Sequence, residues 1–445
     1  MTIKSIDEES FELVKLLTLK PREKTSENTE LIGSIKERKT TNLTDKIVGG
    51  MVGRSTNHLG ETTDIFLYKE NEIIGFNEND YLKFKSLVQK IQLLEKFQKI
   101  VSFNFIESES FDWLIKIFKN KKAESTLSNY LSKSVSLKVK FFTFYFPILN
   151  MRIETPFKIG NVDFMYFKKD YFDNLFESLI KKNETMTEEI FERMFRKDFQ
   201  GIVLAKVTIQ AEKDRAEQIA KLEAEISVDI LKMYSDSVII PEKQTMFDLN
   251  FRLGYQVQSN FLTQTPNDKD NLNLNVKFNN HPFNYTKRHN LVANKSGLNI
   301  FSNYITQKPN NELREIIIQS IQLFSSAISN WDLHLRCVSL ITIIESIFLK
   351  NDERGEMERK TKARLSKIIT NNHNEKERIK LLFSNIYQVR HKMIHKAKRI
   401  NINLKELSEV QMIMVNLFLS LIHFNTKLAF LEKVKLIDKL NEIKS

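Results

Sequence analysis

Residues 333–348 read LHLRCVSLITIIESIF, and their apolar side chains recur at helical spacing. Leu333, Cys337, Leu340, Ile344 and Ile347 follow one another at intervals of three or four, which places them on one stripe of an α-helix. After TQKPNN, near residue 310, the strand patterns stop. We therefore expect four or five helices from there to the end, packed as a bundle.

Two helix starts and one long apolar helix support this bundle. Asn374 and Asn403 are each followed three residues later by a glutamate, which is typical of a helix N-terminus. Residues from about 404 to 433 form a helical pattern that is almost wholly apolar on one side. Such a face exceeds what a lone bundle needs to cover, so the pattern favours a two-fold dimer.

The middle of the chain alternates between strand and helix patterns. Alternating apolar residues predict strands in SVSLKVKF (134–141), MRIETPFKIGNVDFMYF (151–167), GIVLAKVTIQ (201–210) and NLNLNVKF (271–278). Helical stripes are predicted from Asn79 (Leu87, Ile91, Leu94, Phe97) and after residue 210 (Ile219, Leu222, Ile226, Ile230, Met233). These patterns predict an α+β region, a sheet backed by a few helices, before the all-α region.

Residues 1–60 are polar and poorly periodic. The stretch VGGMVGRST (48–56) resembles a phosphate-binding loop, but Val48 stands where the first glycine is needed and Arg54 replaces the lysine. We therefore expect a mobile loop there. The predicted organisation is a polar, partly mobile segment (1–60), an α+β regulatory or sensor domain (61–308) and a helical domain (309–445).

Composition excludes several classes of protein. The single cysteine, Cys337, rules out a disulfide framework and a cysteine-based zinc site, and suits a reducing cytoplasm. The first residues, MTIKSIDEES, have no apolar core of a secretory signal. MIMVNLFLSLIHF (412–424) is too short for a membrane span and contains Asn416, so no membrane association is expected.

The net charge of +12 is concentrated in one stretch. Residues 359–399 carry thirteen basic residues against Glu375 and Glu377, a local charge of +11. The basic residues are Arg359, Lys360, Lys362, Arg364, Lys367, Lys376, Arg378, Lys380, Arg390, Lys392, Lys396, Lys398 and Arg399. A solvated helix face is one explanation. The one-signed run favours a phosphate-bearing partner such as RNA, which would relieve the repulsion.

Within this run, RHKMIH (390–395) places His391 and His395 four residues apart, on one face of a helix. A zinc protease helix needs a glutamate after the first histidine, and Lys392 stands there instead. An ammonium group would repel the metal and cannot act as its base. We therefore expect neither a metal nor another cofactor.

Metal-free RNA cleavage needs different groups, since the 2′-hydroxyl of RNA can itself attack the adjacent phosphorus. An imidazole can transfer protons near neutral pH, and a guanidinium can hold the extra negative charge. His395 and Arg390 supply this pair. Five residues turn a helix by about 140°, so they converge best where the helix ends or bends, or where a second subunit completes the site. His391 could orient His395 or bind phosphate.

Arg390 to His395 matches the R-x(4–6)-H motif of the HEPN superfamily, and NIYQVRHKMIHKA resembles its Apea-like branch. That branch typically reads Tyr-x-x-Arg-Ser-x-x-Val-His. IIESIF (343–348) is similar to its helix that carries a glutamate, and KARLSKII (362–369) to its basic third segment. The similarity covers about residues 312–430. His391 replaces a frequent serine, and Lys396 a frequent glycine, which changes how the helix ends.

The resemblance implies a metal-independent endoribonuclease that acts as a homodimer or higher even oligomer. Many such proteins cut cellular RNA, often tRNA, in bacterial antiphage defence and abortive infection, on a phage-derived trigger or a partner protein. Arg390 and His395 would be catalytic, Glu345 would orient Arg390, and His391 and Tyr387 would support them. Expected phosphate contacts are Lys392, Lys396, Lys398, Arg399 and Arg364. The alternative is a non-catalytic HEPN-type protein that binds nucleic acid or serves as a dimeric scaffold.

Overall fold

The computed structural model describes residues 3–21, 51–56, 62–69, 72–120, 122, 124–167, 173, 199–243, 246–252, 258–265, 268–278, 282–307, 311–353 and 355–443. The chain divides into two compact units. Unit 1 comprises Met1–Phe142 and Thr208–Ile219, and unit 2 comprises Thr143–Val207 and Ala220–Ser445. Strands lie mainly in the N-terminal and middle regions and helices in the C-terminal region, which confirms the predicted change of class. The predicted division into segments 1–60, 61–308 and 309–445 stays a prediction, since the boundaries of the two compact units fall elsewhere.

Helices pack against a small antiparallel sheet in unit 1. The helices are α1 (Ile3–Val14), α2 (Glu78–Gln92), α3 (Glu95–Gln98), α4 (Phe103–Asn120) and α5 (Leu127–Lys138), and the strands are β1 (Thr18–Pro21), β2 (Met51–Thr56), β3 (Thr62–Lys69) and β4 (Glu72–Gly75). The strand order is β1-β4-β3-β2. Phe76, Phe84 and Phe111 are fully buried and pack ring against ring, with Phe76 and Phe84 5.2 Å apart.

The loop predicted at VGGMVGRST is corrected by the structure. Met51–Thr56 is strand β2, whereas residues 48–50 lie outside the described residues. Gly53 pairs with Phe66 of β3, and a Cβ at Gly53 would come within 2.2 Å of that ring. The glycine therefore admits an aromatic neighbour rather than a phosphate.

The alternating stretch SVSLKVKF is half helix. Helix α5 continues to Lys138, and only then does a strand begin, at Lys140. Leu127, Leu131 and Val135 are buried at intervals of four, while Leu137 is exposed. The buried stripe reaches back to residue 127 and has helical period, so it overrides the short alternation.

Nine further strands follow among the described residues; those at 248–249, 258–265 and 283–285 were not predicted, and the others overlap the predicted stretches. They are β5 (Lys140–Leu149), β6 (Met151–Ile153), β7 (Phe157–Ile159), β8 (Val162–Met165), β9 (Val203–Ala211), β10 (Asp248–Leu249), β11 (Gln258–Thr265), β12 (Asp268–Phe278) and β13 (Phe283–Tyr285). One sheet has the order β10-β5-β9-β8-β7, β11 pairs with β12, and β13 runs parallel to β6.

Helix α6 (Lys213–Lys232) is present as predicted. Ile230 near its end and Met233 just after it are buried as predicted, but its first half buries a different stripe. Ala216, Ala220 and Ala224 are inaccessible to solvent, whereas Leu222 is half exposed. Alanine side chains are small, so neighbouring elements can approach the helix closely. A search for stripes of large apolar residues does not detect such a face.

The C-terminal bundle belongs to unit 2. Its helices, with those that precede it, are α7 (Asp236–Ile239), α8 (Lys287–Lys295), α9 (Leu298–Thr306), α10 (Glu312–Ser329), α11 (Leu333–Phe348), α12 (Met357–Ile369), α13 (His373–Lys396), α14 (Leu404–Thr426) and α15 (Lys433–Glu442). Helix α11 packs against α10, α12 and α13. Cys337, Leu340, Ile344 and Ile347 are buried as predicted, and each such side chain contributes about 1.5–3 kcal/mol of transfer free energy.

Two details at helix ends differ from expectation. The capping residue of α13 is Asn372, which accepts a hydrogen bond from the Glu375 N–H, and not Asn374. Asn403 caps α14 as predicted, accepting from Lys405 and Glu406. The predicted 404–433 helix ends at Thr426, and Ala429 then adopts the left-handed region (φ 55°) before α15 begins.

Most of the apolar face of α14 is covered within the protein. Among the described residues, α14 is the one helix long and apolar enough to cross a membrane, and 61% of its most apolar window is buried in the fold. It packs against α10, α12 and α13. The surplus apolar surface that favoured a dimer is therefore not found on α14.

Candidate functional site

The candidate site lies at the end of α13. Ala397 ends this helix in the left-handed conformation (φ 48°), and the Lys398 N–H donates to the Lys392 carbonyl over 3.0 Å. This bond closes the helix. The left-handed conformation at a helix C-terminus is usually adopted by glycine, and here alanine adopts it. His395 therefore stands in the last turn, where the helix dipole favours positive charge. Lys396, which stands where the Apea-like branch often has a glycine, is the last residue of this helix.

Arg390 is held by Glu345 of α11. Its Nη1 donates to Glu345 Oε1 over 3.0 Å, and both side chains are largely shielded from solvent, at 28% and 14% exposure. The Nε of Arg390 is buried and has no hydrogen-bond partner among the described residues. A charge-assisted bond through Nη1 orients the guanidinium, and the side chain stays partly exposed.

Tyr387 lies one turn before Arg390 and is buried. Its hydroxyl is close to Glu345 and Thr361 but forms no well-aligned hydrogen bond among the described residues. Burial and then the negative charge of Glu345 raise the pKa of Tyr387, so the phenol stays neutral. Tyr387 is therefore a packing residue beneath the Arg390–Glu345 ion pair, and not a proton donor to solvent.

The two histidines lie on the outer side of the same helix. The rings of His391 and His395 are 4.9 Å apart, and both residues are exposed. No hydrogen bond joins Arg390 to either histidine in the described part of the chain. A single chain thus brings Arg390 to Glu345 and His391 to His395, and it leaves the two pairs on different faces of α13.

Ion pairs neutralise much of the basic run. The pairs are Arg359–Glu356, Lys360–Glu353, Lys362–Glu358, Arg364–Glu353, Arg378–Glu375, Arg378–Glu409 and Lys380–Glu377. Several of these acids lie outside residues 359–399, so a count within that window overstates the charge. Ion pairs on the surface stabilise the fold only slightly and can exchange partners.

Arg364 is structural, which corrects its predicted contact with phosphate. Its side chain is 5% exposed, and it donates to Glu353, to the Phe348 carbonyl and to Asn441. The hydrogen bond from Arg364 lowers the pKa of Glu353 to about 2. An arginine with its donors so engaged is not available to RNA.

Positive charge remains available at the end of α13. Lys396 and Lys398 are exposed and Lys392 is partly exposed, and none pairs with a carboxylate within the described ranges. Arg399 is 61% exposed but donates to Asp332 Oδ2 over 2.6 Å. Of the predicted phosphate contacts, these three lysines are therefore the ones free to bind an anion beside the histidines.

Sequence reasoning missed Asp332, His334 and Thr361 around this site. Thr361 is buried on α12 beside Tyr387, and no sequence pattern marks it. Asp332 caps α11 by accepting from the His334 and Leu335 N–H groups. An aspartate directly before an apolar helical stripe is a capping signal, so Asp332 could have been found.

Comparison with known proteins gives no match to a family model, to a curated protein or to a solved structure. Among the described residues, no group of three or more histidine, cysteine, aspartate or glutamate side chains is arranged to hold a metal ion. The resemblance to the HEPN superfamily therefore depends on the motif residues, and on the helices that carry them.

Proposed function

We propose that the C-terminal helical region is a metal-independent endoribonuclease of the HEPN type. The observation that carries this proposal is the ion pair between Arg390 and Glu345, 3.0 Å long, next to an exposed histidine pair at the end of a basic helix. The guanidinium is oriented and partly exposed, and the imidazoles face solvent. These are the groups that phosphodiester transfer requires.

The reaction is intramolecular in the RNA. A histidine accepts the 2′-hydroxyl proton as O2′ bonds to the adjacent phosphorus. The bond from phosphorus to O5′ then breaks, and a protonated imidazole donates a proton to O5′. Arg390 and the lysines at the helix end stabilise the negatively charged phosphorane. The products are a 2′,3′-cyclic phosphate and a 5′-hydroxyl.

A homodimer or higher even oligomer completes this site in the proposal. The two pairs lie on different faces of α13, so a second copy can bring its histidines to the Arg390 of the first. Light scattering at micromolar concentration should report an even oligomer. If the protein is diluted until it is monomeric and still cuts RNA at the same rate per chain, this assembly is contradicted.

The biological role that fits such an enzyme is cutting of cellular RNA, with tRNA as one target, in the cytoplasm during antiphage defence. The resemblance supports this role, and the basic helix end supports an RNA partner. The trigger would act through the region before residue 309. A phage-derived molecule or a partner protein is the expected trigger.

The decisive experiment incubates the purified protein with defined RNA in EDTA. Cleavage should persist and leave cyclic-phosphate ends, and a 2′-deoxy substitution at the cut site should block it. His395→Ala is the matched inactive variant. Binding without cleavage would favour the non-catalytic alternative, and EDTA-sensitive cutting of DNA would contradict the mechanism.

A further inference from the structure

The segment that follows the candidate site is attached to the start of α11 at two consecutive residues. Arg399 Nη2 donates to Asp332 Oδ2 over 2.6 Å. The next residue, Ile400, accepts a hydrogen bond at its carbonyl from His334 Nε2 over 2.9 Å. A backbone and a side-chain contact at neighbouring positions fix both the direction and the register of the segment.

The Asp332 carboxylate divides its two oxygens between two tasks. Oδ1 accepts from the His334 and Leu335 N–H groups at 3.0 and 3.4 Å, while Oδ2 accepts from Arg399. The side chain is 5% exposed. Burial alone would raise the pKa of Asp332, but the two N–H donors and Arg399 outweigh it and lower that pKa. The carboxylate is therefore ionised at neutral pH, and both of its oxygens accept hydrogen bonds. It faces the segment rather than solvent.

His395 lies between two fixed points. On one side, the Arg390–Glu345 ion pair attaches α13 to α11, and on the other, Arg399 and Ile400 attach the following segment to the same helix. Between them, Ala397 makes the left-handed turn. Helix ends fray readily, so the position of an exposed side chain in the last turn depends on what holds the chain beyond it.

We propose that Asp332 and His334 are positioning residues that hold the 397–400 segment and thereby place His395 for catalysis. This inference rests on the proposed nuclease function, and it changes the role of Arg399. Arg399 would act as the attachment point of the segment instead of a phosphate contact. Neither Asp332 nor His334 would touch RNA.

Asp332→Asn is the sharpest variant, because asparagine caps a helix as well as aspartate does. It removes the charge that holds Arg399 and leaves α11 capped. We expect kcat to fall roughly tenfold, the loss of a charge-assisted hydrogen bond, with KM nearly unchanged. Arg399→Ala should have the same effect, and the double variant should be no worse than either one.

A phosphate-binding Arg399 behaves differently. Arg399→Ala would then raise KM and reduce the slope of log K against log salt by about 0.7, the value for one contact to a single strand. Asp332→Asn would free the guanidinium and lower KM. Either result overturns the proposal. Lys398→Ala is the matched control, since it should raise KM and change that slope.

Hydrogen exchange separates failure of this inference from failure of the nuclease function. Asp332→Asn and His334→Ala should speed amide exchange in residues 395–400 while leaving α11 protected. Unchanged exchange in both variants overturns the proposal even if kcat falls. If the wild type does not cut RNA, faster exchange still supports the attachment, whereas its link to catalysis is then rejected.

Discussion

An arginine, a glutamate and a tyrosine come together in each of the two units, with different consequences. In unit 1, Arg54 donates through both Nε and Nη2 to Glu107, at 3.1 and 2.9 Å, and the Tyr81 hydroxyl donates to the same carboxylate over 2.8 Å. In unit 2, Arg390 donates to Glu345 only through Nη1. The Tyr387 hydroxyl makes no well-aligned bond among the described residues.

The difference lies in unused hydrogen-bonding capacity. Glu107 is 2% exposed and accepts from both partners, so its carboxylate is fully engaged and the unit 1 cluster stabilises the fold. In the unit 2 cluster only Nη1 of Arg390 bonds to the carboxylate, and exposed histidines lie one and five residues further along the same helix. The same three residue types thus make a structural cluster in one place and a candidate site in another.

Activity should show the largest contrast between the two clusters. Arg390→Ala or His395→Ala should reduce RNA cleavage by a factor on the order of 10²–10⁴, because each removes a group that acts on the reacting phosphate. The double variant should be little worse than either single variant. Arg54→Ala should cut at the wild-type rate. Single-turnover assays on folded protein measure these rates, and equal losses for Arg54 and Arg390 would erase the contrast.

A third ion pair, between Arg364 and Glu353, is more buried than the other two arginine–glutamate pairs on the arginine side, and its role is structural. The hydrogen bond from Arg364, with smaller effects of the Lys350 N–H and Lys360, holds the folded pKa of Glu353 at about 2 against an ordinary 4.5, so the ionised carboxylate contributes roughly 3 kcal/mol above pH 4.5. That contribution should be lost as the pH falls from about 4.5 towards 2. Urea unfolding of the wild type and Glu353→Gln should differ by this amount at pH 7 and converge near pH 2. A constant difference across that range contradicts the assignment.

The tyrosine hydroxyls of the two clusters should differ in their contribution to the free energy of unfolding. Tyr81→Phe removes a 2.8 Å bond to a buried carboxylate and should cost about 1.5–3 kcal/mol of unfolding free energy. Tyr387→Phe removes a hydroxyl without a well-aligned bond and should cost under about 0.5 kcal/mol. Denaturant titration of the two variants side by side tests this. Equal costs would mean that the Tyr387 hydroxyl is bonded after all.

The smallest effect is expected at the helix end that distinguishes the unit 2 cluster. Ala397 has a φ of 48°, a conformation that costs an L-residue about 1–2 kcal/mol. Glycine avoids this cost but gains freedom in the unfolded chain, so Ala397→Gly should stabilise by about 0.5 kcal/mol net. Thermal unfolding measures the change. A loss of stability would show that Ala397 does not adopt this turn in solution.

Local patterns in the sequence determined much of the architecture. The stripe from Cys337 to Ile347, the strands after residue 150 and the cap at Asn403 follow from side-chain period and capping chemistry, which act within a few residues. The pairing of Glu345 with Arg390 was expected only from the family resemblance, because 45 residues separate them. The alternation in SVSLKVKF predicted a strand and was wrong, because the buried residues of helix α5 begin earlier in the chain, at Leu127.

Only the tertiary structure decided which charges are free. Arg364 and Lys392 look alike in a basic run, yet one is buried among acceptors from three elements and the other is partly exposed. Arg336 is wholly buried and donates to the Pro241 and Asn330 carbonyls and to Gln411, and burial lowers its pKa to about 10. Several of these partners lie more than seventy residues away along the chain, such as Pro241 and Gln411 for Arg336 and Asn441 for Arg364. Their positions depend on packing, so charge counts along the sequence cannot supply them.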